Sequence, residues 1–312
     1  MKVLITSNSF GKFDEGPRQR MLSQGWELVN NRYHHIMNEE EMMGEVPGVD
    51  AIILGSDTVS ARVLEKADKL KIISRYGVGL DNVDLEEAKR RGIKVTVTKN
   101  CNTEAVADYA IGLMLAVSRH ICEVHDHLKT GNWIKETGID LCHKIVGVFG
   151  LGAIGRQVVS RLQGFGCTIL GYDKFIDEAY CKEQGIEMLT PDEIFKRADI
   201  ITLHIPGNSD GTHFINKREL ELMKESAILI NTARASLINE GDLLEVLRNR
   251  RIYGYGTDVF AQEPNMNPAF TSLDNVVLSP HNAAVSVEAI NKMSNTAVDH
   301  IMEYFQIEEQ EN

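Results

Sequence analysis

The chain has 312 residues, enough for two domains, and its 43% hydrophobic and 25% charged residues are typical of a globular protein. Its 33 basic and 45 acidic residues leave a formal net charge of −12, which repels nucleic-acid phosphates and anionic lipid and excludes both as general partners. No apolar run reaches the roughly 18 residues of a transmembrane helix. The five cysteines form no CxxC pair, which indicates reduced thiols and a cytoplasmic location.

Short apolar runs rich in β-branched residues dominate the first third of the chain. They predict strands at residues 2–6, 50–55, 70–77 and 93–99, with helical patterns between the later ones. Continuous apolar strands separated by helices are typical of a parallel sheet that is covered on both faces. The first hundred residues therefore predict a doubly wound α/β domain.

A long helical pattern at 103–121 is apolar nearly all round, which predicts a buried helix joining two units. The same alternation of strands and helices then resumes, with strands expected at 144–150, 167–173, 198–205, 226–233, 251–259 and 275–280. The final amphipathic helix, 287–305, is expected to return to the first unit because the second already has its strands. The predicted domains are therefore 1–100 with 286–312, and 101–285.

One glycine-rich segment carries a phosphate-binding pattern. Gly150, Gly152 and Gly155 have G-x-G-x-x-G spacing, directly after an apolar strand and at the start of a helical pattern. The first glycine permits a tight turn, the second lets the backbone approach a pyrophosphate, and the third lets the helix pack against the strand. Ala153 and Ile154 begin that helix, whose free N–H groups favour phosphate. The alternative is a glycine-rich surface turn without a ligand.

The next predicted strand ends at Asp173. A carboxylate there accepts hydrogen bonds from the adenosine ribose and repels a 2′-phosphate, so the sequence favours NAD over NADP as the cofactor. Lys174 beside it weakens this exclusion slightly.

Five further segments share the order and spacing of a known family. They are RYGVGLDNVDLEEAKRRGIKV (75–95), LHIPGNSDGTHFIN (203–216), NTARASLINE (231–240), DVFAQEP (258–264) and LSPHNAA (278–284). From about residue 45 to 305 the chain resembles the D-isomer-specific 2-hydroxyacid dehydrogenases, and among them the phosphoglycerate dehydrogenase-like branch. The resemblance implies a discontinuous, flavodoxin-like substrate domain, a Rossmann NAD-binding domain, a homodimer, and interconversion of a D-2-hydroxy acid with its 2-keto acid.

The resemblance also implies a catalytic set of Arg234, Glu263 and His281. Reduction of a 2-keto acid needs a proton donor that titrates near neutral pH, which is the property of histidine. Glu263 would bond the His281 imidazole and favour its charged form. The planar donors of Arg234 would hold the substrate carboxylate and polarise the carbonyl. Each residue taken alone has a structural alternative. His281 could be a structural histidine, Arg234 an arginine at the end of a strand, and Glu263 an exposed acid in a turn.

Further residues of this chain are assigned a role only because they match functional positions of the family. The resemblance implies that backbone N–H groups around Tyr76, Gly77, Val78 and Gly79 bind the substrate carboxylate, with Asn102 facing the same cleft. It further implies cofactor contacts at Ile205, Pro206, Thr212, Thr232, Ala233, Asp258 and Ala283. Among these, Asp258 would face the nicotinamide carboxamide. The alternative is that these are strand-end packing residues.

Two departures from the family pattern bear on the substrate and on the catalytic turn. Gly55 stands where phosphoglycerate enzymes usually offer an arginine, which favours an unphosphorylated acid unless Lys12 or Arg18 supplies a different phosphate site. Ala235 and Ser236 replace a common Gly-Gly pair, so that turn must avoid positive φ or accept strain. Phosphoglycerate dehydrogenase and hydroxypyruvate or glyoxylate reductase all stay open as activities.

Three other functions compete with this interpretation. Phosphite oxidation on the same fold and a non-catalytic, NAD-sensing corepressor-like role both stay open, whereas Glu263 speaks against formate oxidation because formate enzymes carry Gln there. No metal site is expected, since the pairs His34–His35 and Cys142–His143 lack metal-ligand spacing.

The segment 123–144 is the candidate arm of the expected homodimer. It contains Trp133, and tryptophan is enriched in protein interfaces. The alternative is a tryptophan that covers its own domain.

Overall fold

The computed structural model describes residues 1–208, 211–264 and 266–306. The chain divides into two compact units, Met1–Asn102 with Ala284–Asn312, and Thr103–Ala283. This division lies within two residues of the boundaries expected from the sequence. The last six residues of the expected first domain, 307–312, lie outside the described part of the chain.

The first unit is built on a five-stranded parallel sheet with the order β2-β1-β3-β4-β5. Its strands are β1 (Lys2–Ile5), β2 (Glu27–Asn30), β3 (Ala51–Leu54), β4 (Ile72–Arg75) and β5 (Lys94–Val97), and its helices are α1 (Gly16–Ser23), α2 (Glu39–Glu45), α3 (Ala61–Lys66) and α4 (Leu85–Arg90). In register, Leu4 lies between Val29 and Ile52. All four residues of β3 are buried because helices cover both faces of the sheet. Only β2, a strand with polar ends at the sheet edge, was not expected from the sequence.

The second unit is built on a seven-stranded parallel sheet with the order β12-β11-β10-β9-β6-β7-β8. The strands are β6 (Ile145–Phe149), β7 (Thr168–Tyr172), β8 (Glu187–Met188), β9 (Ile200–Leu203), β10 (Ile228–Asn231), β11 (Gly254–Thr257) and β12 (Val276–Leu278). The strand order reverses between β6 and β9, and ligands of such sheets bind beyond the carboxyl ends of the strands at this point. The two-residue β8 is the one strand here that the sequence did not predict.

In the described part of this unit, seven α-helices accompany the sheet. They are α5 (Thr103–Ser118), α6 (Ile121–Lys129), α7 (Ala153–Gly164), α8 (Glu178–Glu183), α9 (Pro191–Arg197), α10 (Lys217–Leu222) and α11 (Glu240–Arg248). Half of α5 is buried, and it packs with strands β10, β11 and β12. No described helix is long and apolar enough to cross a membrane alone; α5 and α6 meet that test of length and composition only as a pair bent by 64°.

The last described helix, α12 (Val287–Tyr304), belongs to the first unit as expected. The hydroxyl of Tyr76 donates to the carbonyl oxygen of Ile290 at 2.9 Å and lies 3.1 Å from Ser294 Oγ. Arg20 forms an ion pair with Asp299 at 2.7 Å. The first unit is therefore completed by a helix that follows the whole of the second unit in the chain.

Candidate active site

The glycine-rich turn between β6 and α7 has the form that a dinucleotide needs. Gly150 has φ +98°, and a Cβ there would lie 2.5 Å from the carbonyl oxygen of His204. A Cβ at Gly155 would overlap the carbonyl oxygen of Gly150, so the close approach of α7 to the turn requires glycine. Nothing crowds a Cβ at Gly152, and the backbone there is open to a pyrophosphate.

Asp173 lies directly after β7, beside this turn. Its Oδ2 accepts a hydrogen bond from the N–H of Leu151 at 2.6 Å, and its Oδ1 accepts one from Phe175 at 3.0 Å. The carboxylate therefore holds the glycine turn as well as occupying the position expected to face the adenosine ribose. The next residue, Lys174, is exposed.

The other expected cofactor residues follow neighbouring strands of one sheet. Ile205 and Pro206 come after β9, Thr232 and Ala233 after β10, Asp258 after β11 and Ala283 after β12. The Thr232 hydroxyl is buried and has no hydrogen-bond partner among the described residues, which fits a donor or acceptor reserved for a bound group. Thr212, whose carbonyl accepts from Asn208 at 3.0 Å, lies in the loop after β9. With the glycine turn, this set fits a dinucleotide.

Glu263 and His281, two of the predicted catalytic residues, are in direct contact. His281 Nδ1 lies 2.6 Å from Glu263 Oε2, and Glu263 Oε1 accepts from the N–H of Phe260 at 3.0 Å. Burial acts to raise the pKa of Glu263, but the hydrogen bond and charge of His281, the Phe260 N–H and the charge of Arg234 outweigh it and lower that pKa below its ordinary value. An ionised Glu263 fixes the proton on Nδ1, so Nε2 is the nitrogen left for proton exchange.

Arg234 leaves β10 in an extended conformation, with φ −144°. It is half-buried, and one guanidinium nitrogen donates to the carbonyl oxygen of Ala233 at 2.7 Å. Ala235 and Ser236 begin a short 3-10 helix without positive φ, so the turn avoids the strain that the missing glycines could have imposed.

The turn that carries His281 is anchored on Asp258. Asp258 Oδ1 accepts from the N–H of Asn282 at 2.7 Å, and Oδ2 accepts from the N–H of Ala283 at 2.8 Å. Asp258 is 1% exposed, and burial raises its pKa against these bonds and the charge of His281. The sequence assigned Asp258 to the nicotinamide side alone and missed this role in the turn.

The expected substrate loop follows β4 in the first unit. Gly77 has φ +139°, and its N–H donates to Thr98 Oγ1 at 2.8 Å. In the part of the chain that the structure describes, the N–H groups of Val78 and Gly79 donate to no protein acceptor. The latter two groups, rather than that of Gly77, can therefore receive a carboxylate.

The side chain of Arg75 holds this loop through hydrogen bonds to its carbonyl oxygens. Its guanidinium donates to the carbonyl oxygens of Gly79 at 2.9 Å, Leu54 at 3.2 Å and Tyr76 at 2.5 Å. Because the C=O and N–H of a trans peptide point in opposite directions, these bonds turn the N–H groups of Gly77 and Leu80 away from Arg75. Asn102, 7% exposed, directly precedes α5.

Gly55 sits in a space that admits no larger side chain without movement. A Cβ there would lie 3.1 Å from Asp57 Oδ2, 3.2 Å from Thr6 Oγ1 and 3.3 Å from Ser7 Cα. Arg18, one of the two residues considered as a substitute phosphate ligand, is already engaged. It donates to Asn30 Oδ1 at 2.7 Å and to the carbonyl oxygen of Phe10 at 3.0 Å.

Lys12 lies with Nζ 5.5 Å from the centre of the Phe13 ring. These contacts give no support to a phosphate site on the loop after β1.

One group of potential metal ligands lies elsewhere in the second unit. Glu123, His127 and Glu136 place one ligand atom each within 4.8 Å of one another. Glu123 and His127 line a cavity of about 370 Å³ with Tyr253 and Asn275, which precede β11 and β12. These residues lie at the amino ends of the strands, whereas the predicted catalytic residues follow the carboxyl ends. The sequence missed the group because Glu136 follows α6 without regular spacing.

Comparison with known proteins identifies the family. Residues 111–283 match the profile described as D-isomer specific 2-hydroxyacid dehydrogenase, NAD binding domain. The chain is 40% identical over 266 residues to a D-3-phosphoglycerate dehydrogenase of Methanocaldococcus jannaschii, covering 84% of this chain but only 51% of that protein. It is 38% identical to a hydroxypyruvate reductase of Thermotoga maritima over 85% of this chain and 88% of the relative. A glyoxylate reductase of Thermococcus litoralis is also 38% identical, over 84% and 82%.

Solved structures give the same result for the whole described fold. The TT0316 protein of Thermus thermophilus superposes with a TM-score of 0.88 and 31% identity over 100% of this chain and 99% of the other. The apo D-lactate dehydrogenase of Escherichia coli superposes with a TM-score of 0.86 and 29% identity over 99% and 98%. The predicted family, the two parallel α/β units, the NAD cofactor and the class of NAD-dependent dehydrogenase are thereby confirmed. The chain belongs to the D-isomer specific 2-hydroxyacid dehydrogenase family.

Proposed function

We propose that this chain interconverts a small, unphosphorylated D-2-hydroxy acid and its 2-keto acid, with His281 as acid and base. The observation that carries the proposal is the 2.6 Å contact between His281 Nδ1 and Glu263 Oε2, in the same unit as the glycine-rich turn. Arg234, at the end of the neighbouring strand β10, is the third member of the site.

The glycine-rich turn and Asp173 would hold NAD, which in its reduced form would supply the hydride for reduction of the 2-carbon. His281 gives the proton on Nε2 to the carbonyl oxygen, and the ionised Glu263 stabilises the imidazolium before this transfer. Arg234 holds the substrate carboxylate and stabilises the negative charge that develops on the oxygen. Oxidation runs the same steps in reverse, with neutral His281 taking the hydroxyl proton. The N–H groups of Val78 and Gly79 are the proposed second anchor for the carboxylate.

The preference for a substrate without a phosphate group is part of the proposal. An arginine at Gly55 would meet Ser7 backbone and Thr6, and Arg18 is held by Asn30 and Phe10. Glyoxylate and hydroxypyruvate, the acids in the names of two relatives, are therefore preferred over phosphohydroxypyruvate.

The experiment follows loss of NADH absorbance with glyoxylate, hydroxypyruvate, pyruvate and phosphohydroxypyruvate. We expect turnover with the small acids and a fall of at least about 100-fold in His281→Ala, the lower range for loss of a general acid. His35→Ala, which changes an exposed histidine of the first unit, is the matched control and retains activity.

Binding of NADH without turnover of any acid would overturn the proposal. Phosphite oxidation or an NAD-sensing, corepressor-like role would then be the next functions to test. A preference for phosphohydroxypyruvate would contradict only the choice of substrate.

We also propose that the chain is a homodimer in the cytoplasm and binds neither nucleic acid nor membrane. Trp133 is 82% exposed and Leu128 58% exposed, so neither covers its own domain, and both lie in the predicted arm 123–144. The five cysteines are free thiols, which fits a reducing compartment. Light scattering of the wild type and of Trp133→Ser tests the assembly; a monomeric wild type contradicts it.

A further inference from the structure

A chain of hydrogen bonds connects helix α5 to the turn that carries His281. The hydroxyl of Tyr109, in the first half of α5, lies 2.6 Å from Ser279 Oγ. Ser279 Oγ in turn donates to Asp258 Oδ1 at 2.5 Å. Asp258 then accepts the N–H groups of Asn282 and Ala283, on the far side of His281. The carboxylate of Asp258 therefore holds both ends of the turn. Through Ser279, hydrogen bonds connect this carboxylate to Tyr109 of α5.

The proton directions along this chain follow from the number of donors. A carboxylate is an acceptor only, and the Ser279 hydroxyl has a single proton, which it gives to Asp258. The proton of the Tyr109 hydroxyl must therefore point to Ser279 Oγ. Removing the Tyr109 hydroxyl would leave Ser279, which is 4% exposed, with an oxygen that lacks its donor.

The turn needs such an anchor because its backbone is unfavourable at the catalytic residue. His281 has φ 54°, a left-handed conformation that costs energy for a residue with a Cβ. Among the described residues, one local backbone bond closes the turn, from the N–H of His281 to the carbonyl oxygen of Ser279 at 3.0 Å. A backbone conformation of this kind persists where several surrounding contacts hold it in place. The contacts of Ser279, Asn282 and Ala283 with Asp258 provide that constraint.

We propose that Tyr109 is a positioning residue for His281, acting through Ser279 and Asp258. This inference rests on the proposed function, because it assigns the role of acid and base to His281. Tyr109 touches neither Glu263 nor His281 in any hydrogen bond of the described chain, so it acts only by fixing the turn. A displacement of about 1 Å in an acid–base group is enough to lower the rate of a reaction about 100-fold.

The test compares Tyr109→Phe with Tyr253→Phe, a matched variant of the same unit. The Tyr253 hydroxyl bonds His120 Nε2 at 2.7 Å, so each variant loses one short hydroxyl bond, but Tyr253 precedes β11 at the opposite edge of the sheet. We expect Tyr109→Phe to lower kcat by about tenfold, the size of effect that loss of one buried hydrogen bond produces. Tyr253→Phe should lose similar thermal stability and retain kcat.

Variants of Ser279 check the order of the chain. Ser279→Ala should lower kcat at least as much as Tyr109→Phe, and adding Tyr109→Phe to Ser279→Ala should cause no further loss, because both break the same chain. Ser279→Thr keeps a hydroxyl and should restore most of kcat. Independent, multiplicative losses in the double variant would overturn the proposal, as would equal kcat in Tyr109→Phe and wild type.

A second measurement does not depend on turnover. Diethyl pyrocarbonate modifies neutral imidazole nitrogen, and peptide mass analysis identifies the modified histidine. If the turn is loosened, His281 reacts several-fold faster in Tyr109→Phe than in wild type or in Tyr253→Phe. A wild type without dehydrogenase activity but with this pattern would end the proposed function and leave the positioning of His281 supported; equal rates in the three proteins would overturn the inference itself.

Discussion

At the scale of single residues, the site depends on a carboxylate that stays ionised. Burial alone would raise the pKa of Glu263, yet His281, the Phe260 N–H and Arg234 lower it below the ordinary 4.5. A carboxyl group with a lowered pKa in the folded state adds stability above its unfolded pKa and loses it as the pH falls through the folded pKa. The pairing of Glu263 with His281 is thus retained until the solution is more acidic than pH 4.5.

Glu263→Gln should keep a hydrogen bond to His281 but remove the charge that stabilises the imidazolium. We expect kcat to fall about 10- to 100-fold at neutral pH, with little change in NADH binding. Glu240→Gln, which changes another half-buried acid of the same unit, is the control. The contradicting result would be a wild-type activity that, as the pH is lowered, is already lost at a pH above 5, with no such loss in Glu263→Gln. That result would show that the pKa of Glu263 is not lowered.

At the scale of elements, the end of β4 illustrates how one cation shapes a loop. Arg75 bonds the carbonyl oxygens of Tyr76 and Gly79, and a Cβ at Gly77 would lie 3.1 Å from its guanidinium. A lysine has no planar fork and cannot reach three carbonyl groups in this arrangement.

Arg75→Lys should therefore raise KM for the 2-keto acid by about tenfold, because bonds to a charged donor contribute about 1.5–3 kcal/mol and part of this is lost. The Kd for NADH should not change, since the second unit is untouched. Arg62→Lys, in an exposed ion pair with Glu39 and Glu40, is the matched control. An unchanged KM in Arg75→Lys would show that the loop does not bind substrate.

The elements also show what a sequence can and cannot predict here. Apolar strands and the glycine-rich turn were predicted because burial on both faces and the need for glycine leave local patterns. The edge strands β2 and β8 were missed because neither carries a continuous apolar run: β2 has polar residues at both ends and β8 has only two residues. The contact of Tyr109 with Ser279 joins residues 170 positions apart, and no periodicity records such a pair. The same holds for Glu136 beside Glu123 and His127.

At the scale of the whole molecule, one unit is inserted within the other. Thr103–Ala283 is continuous and contains the glycine-rich turn, Arg234, Glu263 and His281, whereas the loop 76–79, which we propose binds the substrate, lies in the discontinuous unit. Residues 103–283 expressed alone should bind NADH, as measured by fluorescence titration, and should reduce no 2-keto acid. Failure of a folded 103–283 fragment to bind NADH, judged against its circular dichroism, would show that the cofactor needs the first unit.

The position of α12 has a consequence for how the protein is made. A ribosome releases the five strands of the first unit early, but the helix that bonds Tyr76 through Ile290 emerges only after the whole inserted unit. The inserted unit is complete before that moment and can fold during synthesis, whereas the first unit must keep its buried sheet face uncovered until α12 has been made. During synthesis the N-terminal sheet therefore exposes an apolar face until α12 has been made, and a premature stop before Val287 leaves the NAD-binding unit attached to a sheet that lacks this helix.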